Sequence, residues 1–300
     1  MKPVYLVGPT AVGKSAVALE LGERCGGEIV TVDSMQVYRG LDIGTAKPSA
    51  AEQRRVPHHL IDIVGLAASF DAAKFVARTR EAVAGLAGRD ARPIFCGGTG
   101  LYLKAWLEGL GTSPPSDPAM RAALEAVPLP ELLAELERAD PVTFARIDRE
   151  NPRRVVRALE VIRLTGQPFA EQRAPWTDES RETVYCLVRE PEDLRRRINV
   201  RVDEMFADGL VAETSRLLEQ GLADNRQAMQ AIGYRQEVEH LRGERELAET
   251  IELIKTKTWQ FARRQMTWFR NQLNAVELEV RADDEIGSVA DRLMTAIGQE

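Results

Sequence analysis

The sequence predicts an α/β protein built on a parallel sheet with crossover helices, and three observations carry that prediction. The first is Gly8-Pro9-Thr10-Ala11-Val12-Gly13-Lys14-Ser15, a G-x-x-x-x-G-K-[ST] loop placed directly after the apolar run Val4 to Val7. The second is the helical spacing of Val17, Ala18 and Leu21 behind that loop, stopped by Gly26-Gly27. The third is the return of strand-like runs between helical stretches, at Glu28 to Val32, His58 to Val64, Arg92 to Cys96 and Thr183 to Val188. Strand, loop and helix in that order make a P-loop NTPase-like core. The texture changes at Thr112-Ser113-Pro114-Pro115-Ser116, after which no strand pattern appears until Thr183. We therefore expect residues 1–112 to form the first part of the core, 113–181 a helical insertion, and 182–300 the second part of the core.

In a loop of this type backbone N–H groups converge on phosphate oxygens, and the following helix adds the positive end of its dipole. Lys14 reaches the outer phosphate and the Ser15 hydroxyl can hold Mg²⁺. A bound diphosphate or triphosphate follows, without a choice between them.

Composition narrows the setting. A chain of 300 residues, 44% hydrophobic and 29% charged, can bury a sizeable core. It has no apolar run of membrane-spanning length, and Met1-Lys2 leads straight into a strand, so a cytoplasmic protein with no membrane partner is expected. Cys25, Cys96 and Cys186 are widely separated, which suits reduced core thiols better than disulfides or zinc. The net charge of −6 argues weakly against nucleic-acid binding, but the basic residues are unevenly distributed.

In chain order, Glu28 to Val32 delivers Asp33-Ser34 at the sheet edge where open α/β folds bind ligands. From position alone, Asp33 suits a Mg²⁺ ligand, a base or a helix cap. Asp62 to Gly65 matches D-x-x-G, but with no N-K-x-D in the chain a GTPase is disfavoured. Asp71 to Ala87 reads as a helix, and Arg92 to Cys96 runs into Gly97-Gly98-Thr99-Gly100, a tight turn or part of a site. Within the insertion three helix starts pair a capping residue with proline: Asp117-Pro118, Asp140-Pro141 and Asn151-Pro152. The third helix sets Arg153, Arg154, Arg157 and Arg163 beside an apolar stripe of Val155, Leu159 and Ile162. On Glu192 to Ala207, Arg197 and Arg201 lie four apart, which suits a phosphate clamp or pairing with nearby acids. Ala231-Ile232-Gly233-Tyr234-Arg235 interrupts a helical region before the long helix Glu246 to Leu273. From Lys255 to Asn274 that helix carries no acid, while Trp259 and Trp268 interleave with Lys255, Lys257, Arg263, Arg264 and Arg270. Those tryptophans read either as core or as stacking platforms for a looped nucleic acid. A short strand, Val276 to Val280, and a helix with Ile286, Val289 and Leu293 end the chain.

The loop written G-P-T-A-V-G-K-S, the segment Asp33 to Pro48, the run Gly97 to Tyr102 and Asn151 to Glu160 together resemble the tRNA dimethylallyltransferases. Gly233-Tyr234-Arg235 and Arg263 to Arg270 extend the likeness to the carboxyl-terminal region. The resemblance implies transfer of a dimethylallyl group from its diphosphate to the exocyclic amine of the adenosine 3′ of the anticodon, with ATP not a substrate. It assigns the diphosphate to Gly8 through Ser15 and Arg201, the proton-accepting role to Asp33, positioning of the amine to Thr99, and Mg²⁺ to Ser15. It assigns the tRNA anticodon stem-loop to Asp33, Ser34, Met35, Gln36, Thr99, Arg121, Arg153, Arg154, Val155, Val156, Arg157, Gln230, Ala231, Ile232, Gly233, Tyr234 and Arg235. With no zinc finger after the catalytic region the chain looks like the bacterial form, and it is expected to act as a monomer. Two rivals are a small-molecule P-loop kinase, against which the basic stretch 255–274 speaks, and an RNA-binding protein with a vestigial site, against which the retention of Lys14, Ser15, Asp33 and Thr99 speaks.

Overall fold

The computed structural model describes residues 1–174, 176 and 182–298. The chain divides into two compact units, Met1–Leu107 with Ser180–Glu300, and Glu108–Glu179. No helix among the described residues is long and apolar enough to cross a membrane.

The larger unit begins with β1 (Val4–Val7), α1 (Lys14–Cys25), β2 (Gly27–Val32), α2 (Ala50–Arg55) and β3 (His58–His59). It continues through α3 (Ala72–Ala87), β4 (Arg92–Gly97) and α4 (Gly100–Glu108). The sheet has six strands in the order β3-β2-β4-β1-β5-β6, every pair parallel, where β5 is Val184–Val188 and β6 is Ala275–Glu279. Register brings the carboxyl ends level: Val7 pairs with Gly97, Val32 with Gly97 and Val7 with Cys186. The segments that follow β1, β2, β4 and β5 thus leave from one edge, and the phosphate loop sits over the central strand.

Alternation along the strands splits the core into two apolar layers, because successive side chains of a strand face opposite ways. Tyr5, Val7, Val30, Val32 and Phe95 pack on one face with Phe75 of α3 and Tyr102 of α4. Val4, Leu6, Ile29, Ile94 and Cys96 pack on the other with Val17 and Leu21 of α1. Cys96 and Cys186 are buried thiols, and Cys25 is intermediate in exposure; all three are free.

The smaller unit holds α5 (Pro118–Glu125), α6 (Leu129–Ala139), α7 (Pro141–Arg146), α8 (Pro152–Thr165) and α9 (Phe169–Gln172). The three proline starts lie where expected; Asp117 and Asp140 cap theirs by accepting from Met120 N and Thr143 N, whereas Asn151 makes no side-chain cap. Leu124, Leu132, Leu136, Val155, Val156 and Leu159 form its own core. Beyond β5 come α10 (Pro191–Ala207), α11 (Leu210–Glu219), α12 (Tyr234–Leu241), α13 (Leu247–Gln272) and, after β6, α14 (Ile286–Gly298).

One expected strand is cut short. His58 to Val64 reads as a continuous strand in sequence, but only His58–His59 pairs with β2. Leu60 and Asp62 adopt left-handed backbone, φ 64° and 55°, which turns the chain back on itself. The remainder then binds the segment after β2, with Asp62 N donating to Gln36 O and Val64 N to Val37 O.

Candidate active site

Gly13 opens α1 with φ 111°, a conformation that favours glycine, and Lys14 is the first residue of the helix. Cations surround the loop. Lys14 Nζ donates to Pro9 O at 3.2 Å, Arg197 Nε to Ala11 O at 2.9 Å, and Arg189 Nε to Val12 O at 2.9 Å. Arg201 Nη1 lies 3.5 Å from Thr10 Oγ1. Burial pulls the Lys14 ammonium below its usual range, and Arg201 adds to that while the Cys96 thiol and Asp33 oppose it. Burial also lowers the Arg201 guanidinium, with Arg197 adding to the effect. Two crowded, desolvated cations beside a helix N-terminus suit an anion, because a bound anion relieves both the desolvation and the mutual repulsion.

Across the same edge, Asp33 Oδ1 accepts from Met35 N at 2.8 Å and Gln36 N at 3.2 Å. Oδ2 accepts from no described residue. Burial raises the Asp33 carboxyl against the opposing pull of those two N–H groups and of Lys14. Thr99 Oγ1 accepts from Ser34 N at 3.1 Å and lies 3.4 Å from Ser34 Oγ, while Gly98 N and Thr99 N both donate to Val32 O at 3.1 Å. Asp33, Ser34, Thr99 and the phosphate loop are therefore brought together as the sequence predicts. Ser15 is exposed on the first turn of α1, a hard oxygen of the kind Mg²⁺ takes. Among the described residues no three His, Cys, Asp or Glu side chains converge on a point.

The segment after Asp33 is held from behind by Glu213, which the sequence does not single out, together with Tyr234, Lys47 and Gln36, which it does. Glu213 of α11 accepts from Ile43 N at 3.0 Å, Asp42 N at 3.3 Å and Gly44 N at 3.5 Å, and Tyr234 Oη donates to it at 2.5 Å. Lys47 donates to Tyr38 O at 2.9 Å and pairs with Asp42 and Asp62. Gln36 Nε2 in turn donates to Thr45 O at 3.0 Å and Ala46 O at 3.3 Å. Gln265 of α13 joins the two loops, accepting from Thr10 N at 2.9 Å and donating to Gly98 O at 2.9 Å.

The residues expected to contact tRNA differ in burial. Tyr234 is fully buried, its hydroxyl committed to Glu213 and Gly44 N, and Ala231 and Gly233 are buried beside it. Val155 and Val156 lie in the core of the smaller unit, as the apolar stripe of α8 requires. Gln230 and Arg235 are exposed, and Ile232 is intermediate. Within the smaller unit Arg121 and Arg157 both pair with buried Glu160, at 2.9 and 2.7 Å, and Arg157 also donates to Pro114 O. Burial acts to raise the Glu160 carboxyl, but Ser116, Arg157 and Arg121 hold it below its usual range. Arg153 and Arg154 are exposed. On α13, Trp268 packs against Gly100 and Trp259 against the second apolar layer, so neither is an exposed platform. Lys255 pairs with Asp203 and Glu252, and Arg270 with Glu277, whereas Lys257, Arg263 and Arg264 are exposed.

A family model described as IPP transferase matches residues 36–272. Among curated relatives, the tRNA dimethylallyltransferase of Geobacter metallireducens is 48% identical over 283 residues, covering 92% of each chain. One from Trichlorobacter lovleyi is 46% identical, over 91% of this chain and 92% of its own. A crystal structure of the full-length tRNA isopentenylpyrophosphate transferase from Bacillus halodurans superposes with a TM-score of 0.74 at 37% identity, covering 99% of this chain and 96% of that one. A chain matched over that length, with a phosphate loop facing an acid across one sheet edge, belongs to the IPP transferase family of tRNA dimethylallyltransferases.

Proposed function

We propose that the protein transfers a dimethylallyl group from dimethylallyl diphosphate to the exocyclic amine of the adenosine 3′-adjacent to the anticodon in tRNA, releasing diphosphate. The observation that carries this reading is the opposition of Asp33 and the cation-ringed phosphate loop at one sheet edge. The C–O bond to diphosphate breaks and the amine nitrogen bonds to the allylic carbon. The charge that grows on the leaving diphosphate meets loop N–H groups, Lys14 and Arg201. The Ser15 hydroxyl would hold Mg²⁺, which when bound would supply charge neutralisation to the diphosphate. Asp33 Oδ2 takes the amine proton, and a carboxyl raised by burial is a stronger base for that purpose. Thr99, fixed by Ser34 N, orients the amine. The adenine must leave the anticodon-loop stack, at a cost of a few kcal/mol, to reach this pair. The exposed residues of the expected tRNA set, Gln230, Arg235, Arg153 and Arg154, supply contacts to flanking nucleotides, with Ser34, Met35 and Gln36 nearest the base. The enzyme acts as a monomer in the cytoplasm, supported by its tRNA substrate and by both substrate loops coming from one chain.

A small-molecule kinase would need ATP at the same loop. Incubating the protein with labelled dimethylallyl diphosphate and unmodified tRNA, without ATP, should place label in the RNA. Label that enters RNA only with ATP, or not at all, would reject the proposal.

A further inference from the structure

The amide of Gln265 lies where it can govern both loops at once. It is 7% exposed, and its two ends meet groups of fixed polarity. Thr10 N–H can only donate, so it requires the Gln265 oxygen; Gly98 C=O can only accept, so it requires the Gln265 nitrogen. Both distances are 2.9 Å. A carboxamide of this length satisfies both groups, whereas a carboxylate or a thioether cannot. Gly98 keeps the approach open, because a Cβ there would stand 2.3 Å from Gln265 Nε2. Three residues further along α13, Trp268 packs where a Gly100 Cβ would stand 2.1 Å away. The helix therefore grips the Gly98-Thr99-Gly100 turn on both sides of Thr99. Thr99 in turn holds Ser34 N, next to Asp33. A continuous line of hydrogen bonds and chain thus runs from Thr10 in the phosphate loop through Gln265, Gly98 and Thr99 to Ser34.

We propose that Gln265 is a positioning residue that sets the spacing between the diphosphate loop and the loop that receives the adenine amine. The inference rests on the transfer reaction proposed above. Bond formation requires the allylic carbon and the amine to approach within roughly 3–3.5 Å in line, and a misplacement of about 1 Å can cost on the order of 100-fold in rate. Each substrate is gripped mainly by its own loop. Loss of the bridge should then slow the bond-forming step while leaving the separate binding steps nearly intact.

The test uses the full chain and two variants. In Gln265→Met the side chain keeps its length and loses both bonds; in Gln265→Glu it keeps an acceptor for Thr10 N–H and loses the donor to Gly98 O. Single-turnover transfer is measured with both substrates saturating, and binding of pyrophosphate and of an unmodified anticodon stem-loop is measured separately. For Gln265→Met we expect the transfer rate to fall 10- to 100-fold, with each dissociation constant within about threefold of wild type. Gln265→Glu should lose a similar factor in rate, and it decides the matter if Gln265→Met does not fold. Gly98→Ala, which pushes the amide away, should add little further loss when combined with Gln265→Met, because both remove the same link. A transfer rate within twofold of wild type in the folded variants would overturn the inference, as would weakened binding of both ligands with an unchanged saturated rate. Absence of transfer by the wild-type protein would instead reject the proposed reaction.

Discussion

Replacing Asp33 by asparagine separates basicity from shape at the acceptor loop. In the structure Oδ1 accepts from Met35 N and Gln36 N. The asparagine carbonyl can keep both bonds, as neutral rather than charge-assisted ones, at a cost of about 1 kcal/mol. The position of Oδ2 becomes an NH₂ that cannot receive the amine proton. A general base typically contributes about 10²–10⁴-fold, so kcat should fall by that factor, or about 2.7–5.4 kcal/mol in barrier, with both substrates still bound. Stability should move the other way. Burial raises the Asp33 carboxyl above its unfolded value, so its protonated form adds stability below the unfolded carboxylate pKa, and that stability is lost as pH rises through the folded pKa. Near neutral pH the wild type bears the cost of a desolvated charge and Asp33→Asn does not; the variant should melt at the same temperature or higher at pH 7, with the gain vanishing in acid. The acid limb of kcat/KM in the wild type should likewise lie above the usual carboxylate range, and disappear in the variant. Single-turnover rates at saturating tRNA and donor, across a Mg²⁺ titration, provide the assay. A near-normal rate, or recovery at high Mg²⁺, would refute the proton-acceptor role and make Asp33 a metal-side residue.

Lys14→Ala should weaken pyrophosphate binding by at least tenfold in calorimetry, because a charge-assisted bond of roughly 1.5–3 kcal/mol is lost, while stem-loop binding stays unchanged. Arg201→Ala should raise the KM for dimethylallyl diphosphate and slow turnover; a defect confined to tRNA binding would move Arg201 to the RNA surface. Glu213 Oε1 takes all three backbone N–H groups and the Tyr234 hydroxyl, and Glu213→Gln removes its charge and turns Oε2, which accepts from Ile43 N at 3.1 Å, into a donor facing that N–H, so thermal unfolding should show a loss of about 1–3 kcal/mol. The same variant should raise the KM for tRNA more than that for the donor, since the turn it holds leads into Thr45 and Ala46, whose carbonyls fix the Gln36 side chain; an equal effect on both would contradict this.

What could be read from the sequence was contiguous. The loop from Gly8 to Ser15 announces itself because eight neighbouring residues make the whole site wall, and Asp33 and Thr99 follow from lying just past apolar runs. Glu213 and Arg189 gave no such signal, and Gln265 stood in the Arg263 to Arg270 likeness without a readable role, since their partners lie 170, 177 and 255 residues away in the chain. A glutamine in a basic helix looks like any surface amide until the fold closes. The inward-facing members of the expected tRNA set have a physical source too. Family motifs mark which residues matter, not which way they face, and Tyr234 matters by supporting a turn from within. Val155 was already assigned inward by the apolar spacing of α8, and burial decided in favour of that spacing. At Leu60 and Asp62 the left-handed backbone comes from tertiary contacts that no local propensity announces.

The ring of donors on Pro9, Ala11 and Val12 carbonyls has a thermodynamic consequence for turnover. With those carbonyls tied down, the loop is ordered in advance, and little chain entropy remains to be lost when a diphosphate docks. Advance order serves the product as well as the substrate. Inorganic pyrophosphate has the same oxygens as the donor and lacks only its prenyl tail, so this rigid cradle distinguishes the two poorly. On the proposed reaction, the apolar tail and the tRNA must supply the selectivity, and escape of pyrophosphate becomes the step at which the enzyme is most easily stalled.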